Sequence, residues 1–311
     1  MANLTLTDTE TELFSIGVQE AYQHADYFDN GWAIFQGMVA GETLNVPVVQ
    51  PGEAENKPDG ESHDNGATIE SVTIELVDPI KSFSDILKTQ VDIRPDLNLI
   101  SNVGAQLGRD VGFGRTIRIA NHLSFTADAA SNSVTDDFAT VSGLGDTVKD
   151  AIASIMGTMD DRGIPASMRF GLMKPKQFYS VRGVAEIVSS DFSQGQNVNQ
   201  SIGGNLAMMS YLGCIIRNVG GIFGVDWTAT AHAGKNLPTA TGKEMADDMS
   251  NVVALFWHHD AWAVRHQTGL ESSIDWIQRN QVWMSIARLH MGVKVIQTDG
   301  LFILINNTGT P

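Results

Sequence analysis

The chain has a single cysteine, Cys214, in 311 residues. One thiol excludes an internal disulfide and a thiolate zinc cluster. Set in the apolar run Leu212-Gly213-Cys214-Ile215-Ile216, it reads as a small buried hydrophobe. Basic residues are scarce as well: 20 Lys and Arg against 36 Asp and Glu give a formal net charge of −16. No run of Lys or Arg could neutralise a phosphate backbone, which excludes tight, sequence-independent nucleic-acid binding. It does not exclude proximity to DNA, since an acidic surface surrounds a polyanion without sticking to it. No stretch approaches the ~18 apolar residues of a membrane-spanning helix; the run Val252 to Trp257 stops at His258. The N-terminal sequence MANLTLTDTETELF is acidic and lacks a basic, apolar leader, so it is no secretory signal. The expected setting is a reducing, aqueous compartment.

Catalytic patterns are missing too. Gly112-Phe113-Gly114, Gly143-Leu144-Gly145 and Gly220-Gly221 match neither the dinucleotide fingerprint nor the phosphate-binding loop, and Gly242-Lys243 lacks the upstream glycine. There is no Gly-x-Ser-x-Gly elbow, no base beside Cys214, and no pair of carboxylates that stands out as a general acid and base. The sequence His258-His259-Asp260 with His266 invites a metal reading. In one continuous strand, however, His258 and His259 face opposite sides and cannot chelate together. A hydrogen-bonded His258–Asp260 pair is expected instead. No catalytic residue, cofactor or metal site is assigned.

What is present is a long hairpin. Leu44, Val46 and Val48 alternate with polar or small neighbours, and Val72, Ile74 and Leu76 alternate with Ser71, Thr73 and Glu75, the period of one-sided strands. Between them, Pro51 to Ala67 offers a core no aliphatic or aromatic side chain beyond Ala and Pro. It carries six charges, among them Lys57 and Asp59, and breakers at Pro51, Gly52, Pro58, Gly60 and Gly66. Arms of about ten residues reach roughly 30 Å. An isolated hairpin is unstable in water, so its apolar face calls for a neighbouring subunit.

Residues 1 to 40 hold Phe14, Tyr22, Tyr27, Phe28, Trp32 and Phe35. They read either as an extended arm plugging aromatics into other surfaces or as an irregular cap on the chain's own core. Pro95 to Leu123 reads as one long helix with Ile100, Val103, Leu107 and Val111 at helical spacing. On its next stripe Gly104, Gly108 and Gly112 recur every four residues. Each costs roughly 1 kcal/mol against Ala, so a second backbone is expected to pass close by. Thr126 to Thr140 reads as a linker. A helix around Val148, Ile152, Ile155, Met156 and Met159 follows, closed by Gly163 and Pro165. Met168 to Leu172 reads as a strand, the region of Phe178 as a short helix, and Asp191 to Asn205 and His232 to Asp248 as loops. Strands are expected at 214–219, 222–229, 252–264, 282–289, 293–297 and 301–305. Helices early, strands late and no regular βαβ alternation define an α+β class.

Read in order, the chain resembles the major capsid proteins of tailed bacteriophages with the Hong Kong 97 fold, of the podovirus-like kind. The segments that carry the resemblance are the hairpin (Gly41 to Val77), the long helix (Pro95 to Leu123), and a passage from Val148-Lys149-Asp150-Ala151-Ile152-Ala153 through Asp161-Arg162-Gly163-Ile164-Pro165-Ala166 to the run Arg169 to Tyr179. Ile216 to Ile222, Leu255 to Val264 and Ala287 to Ile296 follow. The resemblance implies an N-terminal arm (1–40), an extended β-hairpin loop (41–80), a peripheral domain with the spine helix (81–140 and 286–311) and an axial domain (141–285). It implies a structural, non-enzymatic subunit that assembles with itself as hexamers and pentamers into an icosahedral head. Packaged double-stranded DNA would lie nearby without specific binding. Residues expected at inter-subunit contacts are Phe14, Tyr22, Trp32, Val46, Val48, Lys57, Asp59, Val72, Ile74, Gly104, Gly108 and Gly112. Some members cross-link a loop Lys to Asn. Lys57 is the tip's only Lys and has no matched Glu and Asn, so a cement or decoration protein is expected instead. A portal protein is a further implied partner, and a scaffolding protein is expected because no coiled-coil segment precedes the arm. The implied localisation is the virion, with host cytoplasm during assembly. The alternatives are an encapsulin-like nanocompartment shell and, in another class, a soluble metal-dependent enzyme using the His258–His266 region.

Overall fold

The computed structural model describes residues 8–28, 31–38, 43–50, 68–76, 79–87, 97–139, 143–184, 208–226, 249–277, 280 and 282–307. The hairpin tip with Lys57 and Asp59 and the loops expected at 191–205 and 232–248 lie outside them. Helix α1 spans Asp8–Ala25 and helix α2 spans Leu97–Ala129. At 33 residues α2 is about 50 Å long. Ile100, Leu107 and Val111 are buried along it, as the spacing predicted. The helix does not end at Leu123 but continues to Ala129, taking in the first four residues of the linker expected at 126–140, and its residues 115–124 are all buried.

The second backbone at the glycine stripe belongs to the same chain. A Cβ at Gly104, Gly108 or Gly112 would come within 2.7, 2.2 and 2.8 Å of the carbonyl oxygens of Phe14, Val18 and Tyr22 respectively. The contact pairs climb together, so α1 and α2 run in parallel. Gly17 returns the approach, its Cβ position 2.9 Å from the Ser101 carbonyl oxygen. The expected extended arm is therefore a helix over Asp8–Ala25. Phe14 and Val18 sit in the main core of the same chain. Beyond α1, Arg115 of α2 forms an ion pair with Asp26.

Strands β1 (Phe35–Met38), β2 (Thr43–Gln50), β3 (Thr68–Glu75) and β4 (Ile80–Leu87) precede α2. Strand β5 (Ser133–Asp136), helix α3 (Leu144–Asp161), strand β6 (Arg169–Met173), helix α4 (Pro175–Arg182), β7 (Met208–Tyr211) and β8 (Cys214–Asn218) follow. Then come β9 (Val252–His258), β10 (Trp262–His266), β11 (Glu271–Ile277), β12 (Val282–Leu289), β13 (Met291–Val295) and β14 (Leu301–Asn306). Residues 222–225, expected in a strand, form turns instead, with Gly221 and Gly224 at φ 78° and 80°.

The largest sheet has the order β5-β14-β9-β6-β8-β7. Leu301–Asn306, expected in the peripheral part, is therefore paired inside this sheet, between β5 and β9. One face receives α3 and α4 through Val148, Ile152, Ile155, Met159, Phe178 and Val181. The other, through Phe170, Leu255, Trp257 and Ile303, shares a core with α2 residues Ile117, Ala120 and Leu123. A three-stranded sheet, β11-β12-β4, lays Ile80, Ala287 and Leu289 in that same core. A second one, β1-β10-β13, supports the hairpin β2–β3. The stretch 252–264, read as one strand, is broken by a 3-10 turn at His259–Ala261, which moves the chain from one sheet to the next.

Gly108→Ala tests the α1–α2 contact. Alanine gains up to about 1 kcal/mol of helix propensity, but overpacking against Val18 costs roughly 1–3 kcal/mol. The urea midpoint should fall with m unchanged, whereas Gly157→Ala, with nothing within 4 Å of its Cβ position, should raise it. A midpoint raised by Gly108→Ala, as by Gly157→Ala, would mean that α1 does not lie there.

Candidate assembly surfaces

The N-terminal aromatics expected between subunits are consumed within one. Trp32 is buried and stacks on Phe170, centroids 4.8 Å apart. Its other neighbours are Trp257, whose Nε1 donates to the Trp32 carbonyl oxygen at 2.9 Å, and the Arg217 guanidinium, 4.3 Å from the ring centroid. Tyr22 lies beside the Arg115–Asp26 pair. Burial pushes its phenol up to about 12, with Arg115 opposing and Asp26 adding to the rise. Phe14, Tyr22, Trp32, Gly104, Gly108 and Gly112 thus belong to the interior of the chain. A sequence cannot distinguish its own core from a partner's when the packing surface is glycine and backbone.

The two arms pair as one antiparallel hairpin, as expected, with Leu44 opposite Ile74 and Val46 opposite Val72. Its base nevertheless has a partner in the same chain: Val46 and Ile74 are buried with Ala263 of β10. Gly292 of β13 makes room, since a Cβ there would stand 2.0 Å from the Glu75 carbonyl oxygen. Val72 is half-buried. The placement of the Val48 side chain lies outside the described residues, as do Lys57 and Asp59.

The histidine cluster departs from expectation because the strand ends. His258 is the last residue of β9, and its Nδ1 accepts the Asp260 backbone N–H at 3.3 Å. The Asp260 carboxylate bonds His259 Nδ1 at 2.8 Å and stays 3.7 Å from His258. Burial lowers the His258 ring, partly opposed by Asp260. Among the described residues no three His, Cys, Asp or Glu side chains gather closely enough to hold a metal ion. Cys214 is buried, which raises its thiol far above the usual range.

The large apolar side chains that do face solvent were not singled out by the sequence. Phe83 is 74% exposed. It stands opposite Ile286, itself opposite Ser273, on the outer face of the β4-β12-β11 sheet, with Lys81 and Arg288 one row away. Arg288 is held there by Glu271. Met168 and Leu212 protrude at one end of the six-stranded sheet and adopt φ values of 60° and 48°. Left-handed backbone costs such side chains about 1 kcal/mol or more each. These exposed groups, with Met38 and Tyr179, are the surfaces on which a second molecule can bury apolar area.

Solved structures share this architecture. The capsid of the cyanophage P-SCSP1u superposes with a TM-score of 0.65 at 14% identity, over 88% of this chain and 86% of that one. The mature capsid of bacteriophage PhiM1 gives 0.62 at 13% identity, over 91% and 88%. A virus-like particle from Pyrococcus furiosus gives 0.55 at 7% identity, over 96% and 100%. No protein-family model and no curated protein matches the chain. The likeness is one of fold, and the chain has the α+β, Hong Kong 97-like fold of these subunits.

One half-buried histidine gives the fold a pH dependence. Burial first, then the charge of Arg115, push the His266 imidazole down to about 3, against roughly 6.5 unfolded. Between those values the unfolded chain binds a proton that the fold refuses. This contribution to stability is complete above about pH 6.5 and is lost as pH falls toward 3. His266→Gln should lose less unfolding free energy than the native chain between pH 7 and pH 4.5 in parallel urea titrations. Equal losses would show that the ring titrates alike in both states.

Proposed function

We propose that this chain is a major capsid protein: a structural subunit that assembles with itself into the icosahedral head enclosing double-stranded phage DNA. The observation that carries the reading is the fold likeness to two phage capsid subunits over nearly the whole of each chain. The net charge of −16 suits a wall that holds DNA without binding it tightly. In this reading the work of the protein is interface formation, with hexamers and pentamers as building blocks. Catalysis has no part in it, and the localisation is the virion, with assembly in host cytoplasm. A scaffolding protein, a portal protein and a cement or decoration protein are the partners that go with such a head.

The domain division proposed with it follows the strand pairing. The N-terminal segment and the hairpin loop keep their boundaries of 1–40 and 41–80. The axial unit is the six-stranded sheet with α3 and α4, which takes in β5 and β14. The peripheral unit is α2 with the β4-β12-β11 sheet. A second reading, a nanocompartment shell, is favoured by the likeness to the virus-like particle from Pyrococcus furiosus.

Negative-stain electron microscopy of the purified protein, with and without a scaffold candidate, tests the proposal. Uniform polyhedral shells, or ring-shaped hexamers and pentamers, are the expected outcome; particle size and contents then separate head from compartment. A monodisperse monomer under every condition would overturn it. Deleting Gly52 to Gly66 should leave a folded subunit that assembles poorly, and normal shells from that deletion would remove the loop from the assembly mechanism.

A further inference from the structure

Strand β4 ends the β11-β12-β4 sheet, and among the described residues no strand pairs with its outer edge. Its eight residues hold one unshifted register with β12, from Ile80 opposite Leu289 to Leu87 opposite Val282. An open edge of that length is usually blunted by a proline, a bulge or charges that repel a second strand. Here there is no proline and no bulge, and the two charges, Lys81 and Asp85, are of opposite sign. Lys81, Phe83 and Asp85 stand opposite Arg288, Ile286 and Met284, so strand alternation puts them on one face, the outer one. Phe83, between the two charges, projects into solvent.

The run Lys81-Ser82-Phe83-Ser84-Asp85 is symmetric about Phe83: a serine on each side and, two residues out, opposite charges. When two such strands meet antiparallel with Phe83 opposite Phe83, each Lys81 faces the Asp85 of the other copy and each Ser82 faces Ser84. The neighbouring residues of these rows agree. The Lys81 row adds the Arg288–Glu271 pair, which cancels internally, and the Asp85 row adds a second acid, Asp275, beyond Met284. On the inner side α2 brings Arg109 and Asp110, exposed and of opposite sign, with Asp110 accepting the Ser82 hydroxyl at 3.1 Å. The other long edge of this sheet lacks the symmetry. Two β11 strands meeting about Ser273 would set Glu271 against Asp275 twice, and a β4–β11 pairing that matched Lys81 with Asp275 would set Asp85 against Glu271. Strands β1, β5 and β7 are only four residues long.

We infer that β4 is a docking edge for a second copy of this chain: two β4 strands pair antiparallel across a twofold axis at Phe83, fusing two three-stranded sheets into one. A second copy is the occupant because the charges of the edge complement its own sequence reversed, and not that of β11. Main-chain hydrogen bonds along the edge supply affinity, and the side-chain rows fix the register. The two Phe83 rings, each wet on a lone chain, cover one another and the adjoining Ile286. The contact is isologous, the same patch from each side, so it joins two subunits and closes. It rests on the shell-subunit reading and supplies a link across a twofold, between rings that themselves need an unlike contact.

Charge reversal and cross-linking test it. Lys81→Asp and Asp85→Lys each turn both ion pairs of the twofold into like-charge pairs. Each should raise the concentration at which half the chains are associated about tenfold, equivalent to ~1.4 kcal/mol, by sedimentation velocity of chains whose circular dichroism is unchanged. Mixing the two variants, or combining both changes in one chain, restores opposite charges at every pair and should recover most of that loss. Facing residues of an antiparallel ladder stand about 4.5–5.5 Å apart at Cα, within disulfide reach. With Cys214 buried, Phe83→Cys should therefore cross-link to a dimer under mild oxidation, and Ser273→Cys on β11 should not. Native-like association by both charge variants, a double variant no better than either, or no dimer from Phe83→Cys would overturn the pairing while leaving the shell reading intact. A native chain that stays a monomer at every concentration would overturn both.

Discussion

The long helix α2 serves as a shared wall for the sheets around it. The β4-β12-β11 sheet, β13 of the hairpin-bearing sheet, and β9 and β14 of the six-stranded sheet all pack against it. None of the three-stranded elements has a second layer large enough to stand alone. The cost of burying ten successive helical residues falls on the polar ones: Arg115, Thr116, Arg118, Asn121, His122 and Ser124 are all removed from water. Such groups must be matched by partners to be tolerated. Arg115 meets this with Asp26, and Thr116 with the Gly112 carbonyl oxygen at 3.1 Å.

Where one face of an element is apolar and the other wet, the sequence was readable. Val148, Ile152, Ile155, Met156 and Met159 are all buried on α3, as their spacing requires. The hairpin register likewise follows from its alternation. Elements with inverted or absent polarity were not readable. Strand β4 turns Ser82 and Ser84 inward, Ser82 donating to Asp110 of α2 at 3.1 Å and Ser84 standing opposite the buried Ser285, while Phe83 points out. Helix α1 packs partly through Gly17 and bare carbonyl groups, which leave little hydrophobic period to detect.

Some of the residues expected at contacts lie in the chain's own interior for a related reason. Aromatic density in residues 1–40 fitted either an arm or a cap on the chain's own core, and Phe28 and Trp32 join the core: with Phe170, Trp257 and Trp262 they form one connected group of rings. The exposed apolar groups sit singly among polar neighbours, as Phe83 does between two serines and Met168 does between Ser167 and Arg169. Only the three-dimensional placement of Leu212 beside the Ala166 loop turns isolated residues into a patch.

The passage from the six-stranded sheet to the hairpin-bearing sheet occupies three residues, His259–Ala261. Trp257 and Trp262 flank it and meet edge to face, centroids 6.4 Å apart. The indole contact ties the two sheets together across this short joint, and tilting about it would separate the rings. In a closed surface of such subunits, curvature taken up at the seams between molecules would leave that contact intact, whereas bending inside a tile would break it.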